Sequence, residues 1–249
     1  MSGHNRWTKI KRQKEAQGAS KGRLFTKVIR ELTVAAREGG GDPEGNARLR
    51  AAMDAAKEAN LPKDNIERAI KRGTGELEGD AFEEMSYEGY GPGGVAILVE
   101  CVTDNRNRTV GEIRHLFSKG GGNLGESGSV SWMFERKTVM ELSKDGLSEE
   151  AAMEAAIDVG AEDVVDLGDC YEVRADSTAF RSVLQGLEER GLAPKEARLA
   201  WIPKSAVRIE GDAAKKVLKL VSLLEESDDV QNVWANFEID ESDMEALAP

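Results

Sequence analysis

Cysteine, histidine and long apolar runs are all scarce in this chain. Its 249 residues include two cysteines, Cys101 and Cys170, and two histidines, His4 and His115. Two thiols cannot build a disulfide framework or a zinc cluster. The expectation is a reducing compartment, most simply the cytoplasm. The histidines are isolated, with no ligand partners at a metal-binding spacing, so no metal or cofactor is expected. The longest apolar run, Val95 to Val99, falls far short of the roughly 20 residues that span a bilayer. The basic N-terminus has no apolar stretch behind it, so a secretory leader is not expected either. A phosphate-binding G-x-x-x-x-G-K-[ST] loop is missing: Lys119 comes before the glycines. No clear helix-turn-helix is present.

Charge is plentiful and unevenly placed. Lys and Arg number 34 against 46 Asp and Glu, a net charge of -12, with 40% hydrophobic and 32% charged residues. This is the composition of a globular protein with a real core. Residues 1–79 hold 17 basic and 11 acidic side chains, a net of +6, and the remainder carries -18. Within the first 37 residues the count is ten basic to two acidic. A concentrated basic end on an acidic protein is expected to seek a polyanion, although a solubilising arm would look the same.

Residues 1–19 are polar and basic and read as an extended or partly ordered arm. A helix is predicted over 20–38. At about 100° per residue, Leu24, Phe25, Val28, Ile29, Leu32, Ala35 and Ala36 share an arc of roughly 140°, and Arg23, Lys27, Arg30 and Arg37 an opposing arc of roughly 80°. One face is thus core and the other a basic stripe, so charge reversal at Lys27 and Arg30 is expected to spare the fold. Gly39-Gly40-Gly41 ends the helix. Asp42 then Pro43 supplies an N-cap and a first-turn proline for a second helix packed by Leu49, Ala52, Met53 and Ala56. Pro62 opens a third, packed by Ile66, Ala69 and Ile70 and closed at Gly73.

From residue 80 the pattern changes. Val95–Val102 is an apolar, β-branched run bounded by Gly94 and Asp104-Asn105, a buried strand, with Phe82–Tyr90 as its partner. A helix over 107–119 buries Val110, Ile113, Leu116 and Phe117. After a glycine-rich loop, Val130, Trp132 and Phe134 alternate as a strand. Residues 137–203 then run strand 138–142, helix 148–159, strands 164–167 and 171–174, helix 178–190 and strand 197–202. That β-α-β-β-α-β order is the ferredoxin-like signature. A helix over 212–226, with Val217, Leu218, Val221 and Leu224 inward, and a strand over 230–239 remain. One helix and one strand cannot bury a core alone, and the 80–135 segment is short of two elements. The expected architecture is therefore α+β and multidomain: an N-terminal three-helix domain (1–79), a discontinuous α/β domain (80–136 with 207–249), and an inserted α/β domain (137–206). The two α/β domains are both ferredoxin-like. The alternative is two successive domains with the last elements docked elsewhere. The acidic tail is expected to fray.

The stretch Gly120–Gly128 is the one candidate ligand loop, since successive backbone N–H groups can cradle a phosphate. It runs from helix to strand, the wrong order for a dinucleotide turn, and reads first as a plain connection permitting tight turns. Ser127, Ser129 and Ser131 lack a histidine near in sequence, which makes a serine nucleophile a weak candidate. Glu83-Glu84 and Asp228-Asp229 read as solvated faces and turns. Trp132, Trp201 and Trp234 lie in predicted strands and read as core. The informative constellation is basic: Arg6, Lys9, Lys11, Arg12, Lys14, Lys21, Arg23, Lys27, Arg30 and Arg37 can neutralise phosphates. Trp7 among them either stacks on a base or anchors the arm. Arg68, Lys71 and Arg72 form a second cluster, which also complements the third helix dipole. Arg106 and Arg108 sit just before a helix, oppose its dipole, and so call for an anionic partner.

The chain also resembles a known family. Gly3-His4, Trp7 and Ile10-Lys11, the run Phe25–Pro43, Leu61–Gly75, Tyr87–Pro92, Thr103–Thr109 and Gly121–Phe134 are similar to the YebC/PmpR family over essentially the whole chain. Where members usually carry Ser-Lys before the first Trp, this chain has Asn5-Arg6 and keeps the charge. The resemblance implies a cytoplasmic protein with a helical domain and two α/β domains. Members are described as DNA-binding transcriptional regulators, and others, including a mitochondrial translational activator of cytochrome oxidase, as acting at the ribosome. The expected function is a non-enzymatic, nucleic-acid-binding regulator of gene expression. DNA is the first target and ribosomal RNA the alternative. The acidic domains would meet a protein partner, and no membrane is involved. An enzyme holding a phosphate ligand in the glycine loop is the third reading.

Overall fold

A computed structural model of the chain describes residues 21–79 and 81–239. The predicted arm, with Arg6, Trp7, Lys9, Lys11, Arg12 and Lys14, and the acidic tail lie outside the described residues. Two compact units are present. One is residues 134–204; the other joins the described residues before 134 to those after 204.

The larger unit begins with three helices, α1 (Lys21–Gly39), α2 (Ala47–Glu58) and α3 (Lys63–Gly73). Val28, Leu32, Ala35 and Ala36 of α1 bury against Leu49, Ala52, Ala56, Leu61 and Ala69. Leu24, read as part of that face, is exposed. The cap of α2 also differs from expectation. Asp42 accepts from the Glu44 N–H at 3.0 Å and makes only a local turn. The cap is Asn46, four residues later. Its side-chain oxygen accepts from the Leu49 N–H at 3.0 Å, and its amide donates to the carbonyls of Ala35 at 2.7 Å and Gly40 at 2.9 Å. Asn46 wins because one buried side chain satisfies both the end of α1 and the start of α2. Arg48 of α2 then bridges Glu31 and Glu38 of α1 and Glu84.

The chain continues through β1 (Glu83–Tyr90), β2 (Ala96–Thr103), α4 (Arg106–Lys119) and β3 (Asn123–Leu124). β1 and β2 form an antiparallel hairpin, Tyr87 opposite Val99. A 3-10 turn, Ser131–Met133, follows where a strand was predicted, and strand β4 (Phe134–Ser143) starts only after it. The smaller unit runs β4, α5 (Glu149–Asp158), β5 (Asp163–Asp166), β6 (Cys170–Asp176), α6 (Phe180–Glu189) and β7 (Glu196–Pro203). Its strands are ordered β5-β6-β4-β7 and every neighbour is antiparallel, the ferredoxin-like arrangement. Met140, Leu142, Val173 and Ala175 pack against Ala152, Ala156, Val183 and Leu187.

The larger unit resumes with β8 (Val207–Arg208), α7 (Gly211–Glu225), β9 (Val230–Ala235) and β10 (Phe237–Glu238). β9 pairs with β2, Val233 opposite Val99, completing a sheet ordered β3-β1-β2-β9. Ile97, Val99, Ile113, Phe117, Val217, Leu220, Val221 and Leu224 share its core. β2 is buried along nearly its whole length, which is why its sequence is apolar from Ala96 to Val99 and again at Cys101 and Val102 rather than alternating. The single strand expected over 230–239 breaks at Asn236. Its side-chain oxygen accepts from the Ala96 N–H at 2.8 Å. The chain then crosses to pair with β8, Phe237 opposite Val207.

Asn46 gives the fold its clearest single-residue test. Asn46→Ala removes a cap and leaves two carbonyls short of a donor, so a loss of about 1–3 kcal/mol is expected. Asp42→Ala is expected to change stability by less than about 0.5 kcal/mol. Urea melts of both variants check the difference.

Candidate nucleic-acid interface

The middle of the basic stripe of α1, Lys27 and Arg30, is a packing surface, while Arg23 and Arg37 at its two ends are exposed. Lys27 donates to the Glu225 carbonyl at 2.6 Å. Arg30 donates to the carbonyl of Val102 at 3.2 Å, to that of Asp228, and to the Asp229 carboxylate at 2.7 Å. Its guanidinium also lies 5.6 Å from the centre of the Phe82 ring. Arg37 donates to the Phe82 carbonyl. Between them on the same face sits Val34, fully buried. The sequence reading left Val34 out, yet at i+4 from Arg30 and i−3 from Arg37 it marks the stripe as half apolar. Arg30 therefore ties α1 to β2 and to Asp229, and Lys27 ties it to the end of α7, so the expectation that reversing Lys27 and Arg30 spares the fold is corrected.

The focus of this contact is Asp229, only 3% exposed, where a solvated turn was expected. Its carboxylate accepts from Arg30, from the hydroxyls of Thr109 at 2.6 Å and Thr103 at 3.1 Å, and from Arg108 at 3.3 Å. Burial pushes its pKa up, but the Thr109 hydroxyl and the Arg30 charge outweigh that and hold it below the usual value. The Thr103–Thr109 segment is built around this site. Asn105 caps α4 by accepting from the Arg108 N–H at 3.1 Å. The anionic partners sought for Arg108 are internal, Asp104 at 2.6 Å and Asp229. Arg106 is exposed at the head of the helix. A cleft of about 430 Å³ opens here, in which Arg23, Arg30 and Arg108 face five carboxylates. With acids outnumbering bases, it is not a phosphate pocket. The side chain of Lys21 lies outside the described residues.

The second cluster is different. Arg68, Lys71 and Arg72 lie on consecutive turns at the C-terminal end of α3, and all three are exposed. Among the described residues none of them enters an ion pair, whereas Lys63 at the other end of the helix lies 3.8 Å from Glu67.

The glycine loop is filled from within. Glu88 of β1, 5% exposed, accepts from the N–H groups of Gly128 at 2.8 Å, Val130 at 2.7 Å and Ser131 at 2.7 Å. Burial raises its pKa, but the three amides outweigh burial and lower it. The cradle proposed for a phosphate is thus occupied by the protein's own carboxylate. The glycines serve close packing: a Cβ on Gly120 would lie 2.6 Å from Leu220, and one on Gly122 would lie 2.5 Å from the Tyr90 carbonyl. Glu88 escaped the sequence reading because nothing in Tyr87-Glu-Gly-Tyr90 says which loop it faces. Trp132 is corrected too. It lies in the 3-10 turn and is 63% exposed, while Trp234 is buried and Trp201 partly so. Cys101 is buried, which pushes its thiol up to about 12. Among the described residues no group of three His, Cys, Asp or Glu side chains could hold a metal ion, and no helix is long and apolar enough to cross a membrane.

Comparison with known proteins agrees with this architecture. A profile described as the TACO1/YebC protein N-terminal domain matches residues 5–76, and one described as the TACO1/YebC second and third domain matches residues 82–237. The chain belongs to the TACO1/YebC family. It is 58% identical over 248 residues to a "Probable transcriptional regulatory protein" of Myxococcus xanthus, covering 99% of each chain. It is 56% identical over 247 residues to "Probable transcriptional regulatory protein GSU1074" of Geobacter sulfurreducens, covering 99% of this chain and 100% of the relative. A crystal structure of a conserved hypothetical protein, Aq1575, from Aquifex aeolicus is similar with a TM-score of 0.82 and 52% identity, over 90% of this chain and 93% of that one.

Two predictions follow from the buried carboxylates. Arg30→Glu places a second carboxylate against Asp229, and a loss of about 3–5 kcal/mol is expected. A melt matching the unaltered protein would remove Arg30 from the joint. Asp229 and Glu88 both bind protons less readily folded than unfolded. Their contribution is therefore present above about pH 4 and lost as pH falls through the depressed folded values. Denaturant titrations from neutral to acid pH are expected to lose stability over that window, and Glu88→Gln is expected to flatten part of the loss.

Proposed function

We propose that the protein is a nucleic-acid-binding regulator of gene expression, acting in the cytoplasm and without catalysis. The observation that carries this reading is the set Arg68, Lys71 and Arg72, exposed and outside any ion pair among the described residues, on a chain whose relatives carry the name of transcriptional regulatory proteins. Three cations on adjacent turns suit consecutive phosphates of a nucleic acid backbone. The basic arm would add to the same grip. Regulatory names and a glycine loop closed by Glu88 speak against a phosphate-ligand enzyme.

A DNA target is the reading the relatives' names support. A specific observation favours a second one, ribosomal RNA and a role in translation. The longest basic helix, α1, commits Lys27 and Arg30 to partners within the protein, so the middle of that face is not available to lie in a duplex major groove.

Crosslinking in cells followed by sequencing of the attached nucleic acid distinguishes the targets: promoter DNA supports transcription, ribosomal RNA supports translation. In vitro, replacing Arg68, Lys71 and Arg72 with Glu is expected to leave thermal melting nearly unchanged and to weaken binding. The log–log salt slope should fall by roughly 0.9 per lost contact on duplex DNA and roughly 0.7 on single strands. An unchanged slope would exclude the α3 cluster from the interface.

A further inference from the structure

The glycine-rich segment between β3 and β4 is built with more care than a connection needs. Glu88 holds the N–H groups of Gly128, Val130 and Ser131. The Tyr90 hydroxyl donates to the Ser129 carbonyl at 2.9 Å, and the Trp132 indole N–H donates to the same oxygen at 3.1 Å. Gly125 approaches Ser129 so closely that a Cβ there would lie 2.5 Å from its hydroxyl oxygen. A buried carboxylate and a tyrosine thus fix a turn whose most prominent side chain, Trp132, is 63% exposed. Pre-organisation of an exposed aromatic lowers the entropy lost when a partner binds it.

Chemistry narrows the partner. The indole has a single hydrogen-bond donor, and it is already engaged, so what Trp132 offers outward is ring surface. The exposed residues near it along the chain are Glu126, Ser127 and Gly128 on one side and Glu135 and Arg136 on the other. Among the described residues no other exposed large hydrophobic side chain belongs to this loop, whereas a protein interface is marked by a contiguous apolar patch. Between Gly120 and Met133 the loop contains no Lys or Arg, so the turn itself offers ring surface rather than a cation. A lone, rigid aromatic face with polar surroundings fits a flat, polar-edged ring. We infer that Trp132 is a stacking platform for an unpaired nucleobase. This rests on the nucleic-acid reading above and adds to it a contact that only single-stranded, looped or flipped nucleotides can make.

The test is equilibrium binding of the full chain to a short single-stranded oligoribonucleotide and to its blunt duplex, at several salt concentrations. Trp132→Ala is expected to weaken single-strand binding roughly 5- to 150-fold, the range of one lost base stack, with the salt slope unchanged. Trp132→Phe is expected to restore much of it, and duplex binding is expected to change little. Wild-type tryptophan fluorescence should be quenched by the single strand, and the quench should shrink in Trp132→Ala. Unchanged single-strand affinity in Trp132→Ala overturns the inference while leaving the nucleic-acid reading in place. An equal loss on the duplex, or a Trp132→Phe as weak as Trp132→Ala, also overturns it. A wild-type protein that binds neither probe overturns both the inference and the reading.

Discussion

The larger unit depends on one buried carboxylate. Asp229 lies at the entrance to β9 and gathers Arg30 from α1, Thr103 from the end of β2, and Arg108 and Thr109 from α4. An ionised group at that depth is tolerated only because every approach to it carries a donor or a cation. The helical bundle, the central strand and the last strand of the sheet are therefore tied through a single side chain. The pairing of β9 with β2 carries the same constraint outward, since the Val102 N–H donates to the Asp229 carbonyl at 2.8 Å.

Glu88 repeats the device at the other end of β1. Two features of the sequence that invite a ligand, a basic helix face and a glycine-rich loop, both find their anion inside the chain. The electrostatics that would attract phosphate are in these places neutralised by folding. Among the described residues the cations at the end of α3 enter no ion pair, and an exposed aromatic ring, Trp132, stands on a turn that Glu88 holds.

Helices and strands were legible because periodicity is a local property. Val28, Leu32, Ala35 and Ala36 recur at helical spacing, and the run Val95–Val102 has no polar alternation because both of its faces are covered. The β-α-β-β-α-β order of residues 134–203 could likewise be read from element types alone. The errors fell where two local readings were nearly equal in energy. Asp42-Pro43 carries the cap signature, but the cap is Asn46, the side chain that also reaches the Ala35 carbonyl. Val130, Trp132 and Phe134 alternate like a strand, yet Glu88 draws the Val130 and Ser131 amides into a turn.

By itself, the sequence determined the segments, their apolar faces, the split of charge between the basic end and the acidic remainder, and the family resemblance. Tertiary structure alone decided which charges are available. Arg30 and Arg68 are equivalent in sequence, each a cation on an amphipathic helix. Arg30 lies within 2.7 Å of a carboxylate 199 residues away, and Arg68 faces solvent. Pairing at such sequence distance is set by how helices and sheet close on one another, and no local pattern encodes it. The same holds for Glu88 and the loop 40 residues on: a carboxylate in a strand becomes the anion of a nest only when the hairpin and the loop are brought together by the core between them.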